Sequence, residues 1–460
     1  MSIRGSNSLP LSDDVIEQIF HFLPSFSSLQ STIRVCKDFY KIFNAHPRTI
    51  VRRVAYNIAG PALPQAIRLL RYRCEDDTNS SSSEGSDPDD ETTNGPPLTQ
   101  SETKKLINIA RVASKLEDLF SFRHKDRSSK TSKLSSMESW RFRRAIYRLM
   151  LFSCVFPGSK YHFLSEDEDG NDDDTDANFK RIREDRKAKR DFIEDFFTEE
   201  ILEMYAVAHF LVETAEWASL AHGCEILMHI LAAYFGDVAL CAGPEAILAS
   251  YEAGSVVPIQ DAAEEMDLVE ELITEYIEHS LRSVLESTQT AIPAEDKTFW
   301  NKILSDVPGK DDLCKRCGAA EGLDLWSESN WEYLRGIPTF TVDQIRQYLK
   351  GQLPLSITET AFLRAQLEPI SQPSLYMDMV TELFDVKRPE FNDWNKEDLL
   401  CTPCLKIFVG EHLHLWLLER KRAAGRQIPD DCWYGYNCRT QTHRREHAEK
   451  LNHLSPPTRG

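Results

Sequence analysis

The middle of the chain carries apolar residues at helical spacing. From about Glu102 to Pro293, apolar positions recur every three or four residues, the period of an α-helix with one buried face. One such stripe runs from Ile193 to Ala208, and another runs from Val269 to Ile277 with glutamates on its opposite side. The pattern predicts an α-helical domain over residues 102–300 whose stripes form its core.

The first fifty residues show a shorter helical pattern. Ser12 or Asp13 follows a Leu-Pro pair and is placed to cap a helix. The apolar stripe of this helix consists of Val15, Ile16, Ile19, Phe20 and Leu23. A second short helix follows Pro24, and a third contains the segment VCKDFY. The pattern predicts a small three-helix bundle.

This order of features resembles the F-box over residues 7–50. An F-box binds a Skp-type adaptor through its apolar helix stripe, and the adaptor links it to a cullin ubiquitin ligase. The resemblance implies that the following residues lie at or near the adaptor contact: Leu9, Pro10, Ile16, Ile19 and Leu23. Some of these side chains must also hold the bundle together, and the sequence does not separate the two roles.

The charge of the chain is concentrated in segments that do not favour folding. The net charge is −19, and two stretches are polar and strongly acidic. We expect a disordered acidic linker over residues 74–101 and an acidic loop near residues 165–178, because neither can bury enough apolar surface to offset its ordering entropy. The basic run from Lys180 to Arg190 has two interpretations, a solvated helix face or a nuclear localisation signal.

Two further absences in the sequence limit the possible partners. No apolar run reaches the roughly 18 residues that suggest a membrane span, so we expect no membrane partner. The amino terminus lacks the apolar core of a secretory signal, which favours an intracellular protein. The acidic balance also argues against duplex DNA, because phosphate neutralisation needs clustered Lys and Arg that only the last 40 or so residues provide.

Six of the eleven cysteines form three spaced pairs. The pairs are Cys314/Cys317, Cys401/Cys404 and Cys432/Cys438. In an intracellular chain this spacing indicates zinc and not disulfides. Two CxxC turns supply the four ligands of one structural zinc, which defines a cysteine-rich zinc-binding region over residues 311–430. The alternative is two incomplete sites, with His412 or His414 completing the second.

A second site is predicted over residues 431–454. Cys432 and Cys438 supply two thiolates there, while His443, His447 and His453 are candidates for the remaining two positions. The segments CWYGYNC and HAEKLNH resemble the start and end of the poly(ADP-ribose)-binding (PBZ) zinc finger. Residues 398–454 are similar to the carboxy-terminal region of checkpoint ubiquitin ligases with forkhead-associated and RING domains.

The PBZ resemblance implies which groups hold the metal and the polymer. It selects His447 and His453 as ligands and leaves His443 as the alternative, because the spacing from Cys438 is longer than the family pattern. Adenine rings stack on aromatic faces and pyrophosphates pair with guanidinium groups. The candidate polymer contacts are Trp433, Tyr434, Tyr436 and Arg439, on a loop that Gly435 keeps open. Alternatively, the finger is a structural zinc cap.

The sequence as a whole predicts a mainly α-helical protein with an amino-terminal F-box, a helical middle and a small zinc-stabilised carboxy-terminal module. No phosphate loop, nucleophile elbow or metalloprotease helix is present in the sequence, so we expect no catalytic site. The predicted function is the non-catalytic substrate receptor of a Skp/cullin/F-box ligase that recognises poly(ADP-ribose) in the nucleus. The alternative is a zinc-stabilised scaffold whose finger binds protein or nucleic acid.

Overall fold

The protein is mainly helical, as the sequence predicted. The computed structural model describes residues 11–75, 96–127, 131–157, 173–221, 235–253, 256–264, 276–290, 299–367 and 374–459. Within these ranges, extended structure is limited to two strands of two residues each, β1 (Leu325–Trp326) and β2 (Leu400–Cys401). The strands pair antiparallel, with Leu325 opposite Cys401. Among the helices that the structure describes, none has the length and apolar character needed to span a bilayer.

The amino-terminal bundle contains four helices. They are α1 (Asp13–His21), α2 (Phe26–Ile33), α3 (Lys37–Ala45) and α4 (Pro47–Ala59). Ser12 caps α1 by accepting a hydrogen bond from the Val15 amide, and Ser25 caps α2 in the same way. Ile50 and Val54 of α4 complete the core that Phe20 and Phe39 share. The bundle therefore extends beyond the predicted boundary at residue 50.

The helical body follows this bundle. Its helices are α5 (Leu63–Glu75), α6 (Gln100–Phe120), α7 (Ser136–Val155), α8 (Asp173–Glu194), α9 (Thr198–Ala221), α10 (Phe235–Ala253), α11 (Val257–Glu264) and α12 (Glu278–Ser287). Capping boxes begin α6 and α7, at Thr99 with Glu102 and at Ser135 with Glu138. Among the members of the stripe predicted from Ile193 to Ala208, only Phe197 is exposed, and residues 200–208 are buried on every side of α9.

Two further predicted boundaries differ from the structure. The helical core begins before residue 102, because the end of α4 and residues 63–72 of α5 pack into it. The predicted acidic loop is wrong at its end, since α8 starts at Asp173 and residues 173–178 are helical. Most of the predicted linker, residues 76–95, and the first part of the acidic loop lie outside the described residues.

The cysteine-rich region shares its core with the helical body. Its helices are α13 (Val342–Ile345), α14 (Ile357–Leu367), α15 (Ser374–Leu383), α16 (Thr402–Ala423) and α17 (Arg445–Lys450). The Trp217 indole on α9 donates to the Tyr333 carbonyl oxygen at 2.9 Å. A single buried cluster runs from Ala55 to Leu454. The carboxy-terminal part is therefore packed as a continuation of the body.

Candidate metal centres and the finger surface

The first cysteine pair lies on a tight turn. The Cys314 amide donates to Ala319 O at 2.8 Å, and the Gly318 amide donates back to Cys314 O at 2.9 Å. Gly318 has φ +71°, a left-handed conformation that glycine adopts without strain. The hydrogen bonds leave the Cys314 thiol buried and the Cys317 thiol exposed at the end of the turn.

The second pair lies at the start of α16, where Cys401 ends β2 and Cys404 falls in the first helical turn. Pairing of β1 with β2 and a hydrogen bond of 2.9 Å from the Lys315 amide to Leu399 O bring the two pairs together. The sulfurs of Cys317 and Cys401 are 3.5 Å apart. All four sulfurs lie within 4.8 Å of one another.

This group could hold a metal ion of the size and preference of zinc. Four thiolates at zinc–sulfur distances of about 2.3 Å require sulfurs about 3.8 Å apart. Burial raises the pKa of Cys404, and hydrogen bonding to the neighbouring sulfurs raises it further. Burial also opposes ionisation of Cys314, yet backbone amides of Cys317 and Cys401 lower its pKa to about 6. A bound cation would offset the mutual repulsion of the thiolates in this cluster and so favour their ionisation.

His412 and His414 do not belong to this cluster. His412 is fully buried, its Nδ1 donates to Phe408 O at 2.6 Å, and its Nε2 accepts from the Arg388 amide at 3.0 Å. His414 packs edge-on against the Tyr436 ring, with the ring centroids 5.7 Å apart. Both are core histidines, in agreement with the shared four-thiolate arrangement and not with two separate sites.

A second cluster joins Cys432, Cys438, His447 and His453, whose ligand atoms also lie within 4.8 Å of one another. The His447 Nε2 atom is 3.4 Å from Cys438 Sγ and 3.9 Å from Cys432 Sγ. His453 is fully buried, and within the described chain neither of its ring nitrogens is placed for a hydrogen bond. An orphaned buried imidazole beside two thiols fits a metal site, because a metal would satisfy the nitrogen that no protein group satisfies. His443 is exposed and lies outside the cluster.

Short backbone contacts build the finger around this cluster. The Cys432 amide donates to Asn452 O at 2.9 Å, and the Gly435 amide donates to Cys432 O at 2.8 Å. Gly435 has φ +40°, and a β-carbon there would lie 2.1 Å from the Ser455 carbonyl oxygen. The loop is therefore closed on this side by the chain after His453, contrary to the open loop that the sequence suggested.

The last residues of the chain form part of the finger, which sequence reasoning missed. The amides of Thr458 and Arg459 both donate to Trp433 O, at 2.9 and 3.0 Å. The Arg459 guanidinium lies over the Trp433 indole, 4.0 Å from its centroid. No spacing motif marks these residues in the sequence, and the Pro456-Pro457 pair before them is the only local signal of an extended segment.

Three of the four predicted polymer contacts lie on the surface. Trp433 is 60% exposed and Tyr434 is 50% exposed. Arg439 is also exposed, and its guanidinium makes no ion pair with any residue that the structure describes. This surface of Trp433, Tyr434 and Arg439, with Arg459 beside it, is called the finger surface below.

Tyr436 is different, because it is partly buried and packs against the core of the helical body. Its carbonyl oxygen accepts a hydrogen bond of 2.7 Å from the Gln352 amide. A β-carbon on Gly351 would lie 2.5 Å from the same carbonyl oxygen. Tyr436 therefore attaches the finger to the body, and its contact with the polymer stays a prediction.

In the amino-terminal bundle, the residues of the predicted adaptor contact differ in how far they are buried. Ile16 is 1% exposed and belongs to the bundle core, and its place at or near an adaptor contact stays a prediction. Ile19 is 36% exposed and Leu23 is half-buried. Leu9 and Pro10 lie outside the described residues. Further exposed apolar side chains on the same bundle are Val15, Phe22, Val35 and Tyr40.

Comparison with protein-family models, with curated proteins and with solved structures gave no match to this chain.

Proposed function

We propose that the protein is the substrate receptor of a Skp/cullin/F-box ubiquitin ligase and that its finger surface binds poly(ADP-ribose) or a protein that carries it. The observation that supports this proposal best is the finger surface. Two aromatic rings and an unpaired guanidinium are exposed on a segment that the cluster of two cysteines and two histidines holds in place. Without such a ligand, both aromatic residues would remain half or more exposed, as apolar surface on the outside of the protein.

The chemistry of the polymer matches these side chains. Each repeat offers an adenine ring that stacks on Trp433 or Tyr434, and a pyrophosphate that pairs with the Arg439 guanidinium. Arg459 is stacked on Trp433 and adds a second positive charge at the edge of the same surface. Zinc in the two ligand clusters holds the loop and the turn of the first cysteine pair in place, a structural role with no catalytic step.

The amino-terminal bundle supplies the proposed adaptor surface. Phe22 is 76% exposed and Val35 is 67% exposed, and with Ile19 they belong to a bundle whose own core does not include them. Large apolar side chains left exposed on one small bundle are typical of a protein contact. The receptor itself does no ubiquitin chemistry, which belongs to the enzymes that the cullin recruits. Because the proposed ligand is poly(ADP-ribose), we propose that the protein acts in the nucleus.

A second function is favoured by a specific contact. The Gln352–Tyr436 hydrogen bond and the tight packing at Gly351 attach the finger to the body, as expected of a purely structural zinc cap. This arrangement alone explains Tyr436 and Leu454, which contribute to the core. It does not explain the exposure of Trp433 and Tyr434.

Binding of the zinc-loaded full chain to poly(ADP-ribose) tests the first function. Loss of one stacked base costs about 1–3 kcal/mol, so we expect a Tyr434→Ala/Arg439→Ala variant to bind at least about tenfold more weakly. A Tyr40→Ala/Arg68→Ala variant removes the same residue types from exposed positions elsewhere and should bind like the parent protein. Equal binding by both variants, or full displacement by single-stranded RNA, would refute polymer recognition and leave the structural cap.

Adaptor pull-down tests the amino-terminal surface separately. An Ile19→Glu/Phe22→Glu variant should lose the adaptor, because it places charge on the exposed apolar face while leaving the bundle core intact. The matched control is Leu355→Glu/Ile357→Glu, since both residues are 64% exposed on the body. Capture of the adaptor by the first variant at the level of the control would contradict the F-box proposal.

A further inference from the structure

A large cleft lies where the amino-terminal bundle meets the helical body. Its volume is about 960 Å³, and its walls come from α4, from α5 and from the segment that begins at Pro96. Helix α4 belongs to both cores, with Ile50 and Val54 in the bundle and Ala55 and Ala59 in the body. The cleft is distant in sequence from both metal clusters and is not used by the proposed function.

The charge of this cleft is opposite to that of the protein. Four arginines line it, Arg48, Arg52, Arg53 and Arg71, and among its described lining residues there is no aspartate or glutamate. The chain as a whole has 73 acidic residues against 54 basic ones. Arg48 and Arg53 both lie on the α4 wall, and because like charges repel one another, a bound anion would stabilise this arrangement.

Several of these guanidinium groups are available to a ligand. Arg48 and Arg53 are exposed and form no ion pair with a described residue. Arg71 is held at the other wall, where it donates to Pro96 O at 3.1 Å and lies 3.9 Å from the Glu102 carboxylate. The first turn of α4 borders the same space and contains no acidic residue. The positive groups therefore approach the cleft from both walls.

The floor of the cleft is apolar. Its apolar lining residues are Pro47, Val51, Pro61, Leu63, Pro64, Ile67, Pro96, Pro97 and Leu98. The volume falls in the range of sites that enclose a ligand much larger than a phosphate ion. A ligand that fits both features carries a phosphate for the arginines and adjacent apolar groups for the floor.

We propose that this cleft binds a phosphorylated peptide segment of a partner protein, with the phosphate held by Arg48 and Arg53 and the flanking side chains on the apolar floor. Each guanidinium can donate two parallel hydrogen bonds to a phosphate, and clusters of arginines recognise phosphorylated motifs in this way. A single-stranded nucleic acid fits less well, because it needs successive aromatic faces for its bases, and Tyr56 is the one tyrosine, tryptophan or phenylalanine among the described lining residues.

An array of nonapeptides with a central phosphoserine between proline and leucine residues, beside the same peptides without phosphate, tests this site on the full chain. We expect binding that requires the phosphate and that falls about tenfold or more in an Arg48→Ala/Arg53→Ala variant. Arg68→Ala/Arg186→Ala makes the same change in net charge at exposed positions outside the cleft and should bind normally. An Arg48→Lys/Arg53→Lys variant keeps the charge but loses the two-pronged geometry, so it should bind at an intermediate level.

Three outcomes would overturn the proposal. They are binding that ignores the phosphate, binding that the alanine variant retains while its thermal unfolding is unchanged, and stronger binding to single-stranded RNA or to phosphoinositide vesicles than to any phosphopeptide. The finger variant Tyr434→Ala/Arg439→Ala should leave peptide binding unaltered, so this test stands independently of polymer recognition.

Discussion

Gly435 lies directly against the main chain of Ser455, so that a β-carbon on Gly435 would stand 2.1 Å from the Ser455 carbonyl oxygen. The Tyr436 amide donates to that same oxygen at 3.0 Å. Position 435 therefore requires glycine for two reasons, the close approach of the Ser455 main chain and the backbone conformation of the loop. The residues that follow His453 form the outer edge of the finger.

We expect Gly435→Ala to destabilise the finger by more than the backbone strain that a positive φ angle imposes on alanine. Both Gly435 and Gly425 have positive φ, but a β-carbon at Gly425 would meet no atom within 4 Å. Gly425→Ala should therefore cost only the backbone strain of about 1 kcal/mol, whereas Gly435→Ala also displaces residues 455–456. Zinc release to a chelator should become faster in the Gly435 variant only. Equal release from both variants would show that the tail does not hold the finger.

Elemental analysis should give two zinc ions per chain, since the structure contains two complete four-ligand clusters in its described part. Cys314→Ser should lower the count to one, because three remaining thiols do not complete a closed structural site. His453→Ala should also lower it to one, by removing the buried ligand of the finger.

Cys154→Ser is the control for both metal variants, because Cys154 is half-buried in α7 and belongs to neither cluster. Its protein should retain two zinc ions. A count near one in the parent protein would remove one of the two proposed sites.

Ile16 and Ile19 should respond oppositely to substitution, although both lie on the apolar stripe of α1. Ile16→Ala leaves a cavity in the bundle core and should cost about 2–5 kcal/mol of unfolding free energy. Ile19→Ala removes an exposed side chain and should cost less than about 1 kcal/mol, yet it should weaken adaptor binding. Denaturant unfolding and adaptor pull-down measured on the same two proteins check both halves of this prediction. Comparable destabilisation by the two substitutions would contradict the burial of Ile16.

Glu138 should make the stability of the protein sensitive to acid. Burial raises the pKa of this carboxylate, but hydrogen bonds from Lys125 and from the Ser135 and Ser305 amides outweigh burial and bring the pKa to about 2. The folded state therefore favours the ionised form, which stabilises the protein above the ordinary pKa of about 4.5 and is lost as the pH falls toward 2.

Glu138→Gln should accordingly reduce the unfolding free energy by about 2 kcal/mol at pH 7, and the difference from the parent protein should shrink below about pH 4.5. Glu199→Gln is the control, because Glu199 is exposed on the first turn of α9. Unfolding free energies measured from pH 7 to pH 3 test this prediction. If the difference between Glu138→Gln and the parent protein stays constant over this range, the ionised carboxylate is not its source.

Some parts of this protein were predictable because their signals are local. Helix periodicity, the cap at Ser12 and the capping boxes depend on residues within a few positions of one another, and the structure has helices over the stripe of α1 and over most of the stripe from Ile193 to Ala208. Residues 269–275 of the other predicted stripe lie outside the described residues. The grouping of the metal-ligand residues was also accessible, because a CxxC turn or a Cys-x5-Cys loop brings two thiols together by chain geometry alone.

The sequence by itself thus determined the helical class, the pairs of thiols and the choice of residue types for the finger. Only the tertiary structure decided which side chains face inward. An apolar stripe contains both Ile16 and Ile19, and a loop of three aromatics contains both Tyr434 and Tyr436, but burial depends on what the rest of the chain places against each of them. The arginine cleft and the closure of Gly435 by Ser455 likewise join residues distant in sequence, and only packing creates such contacts.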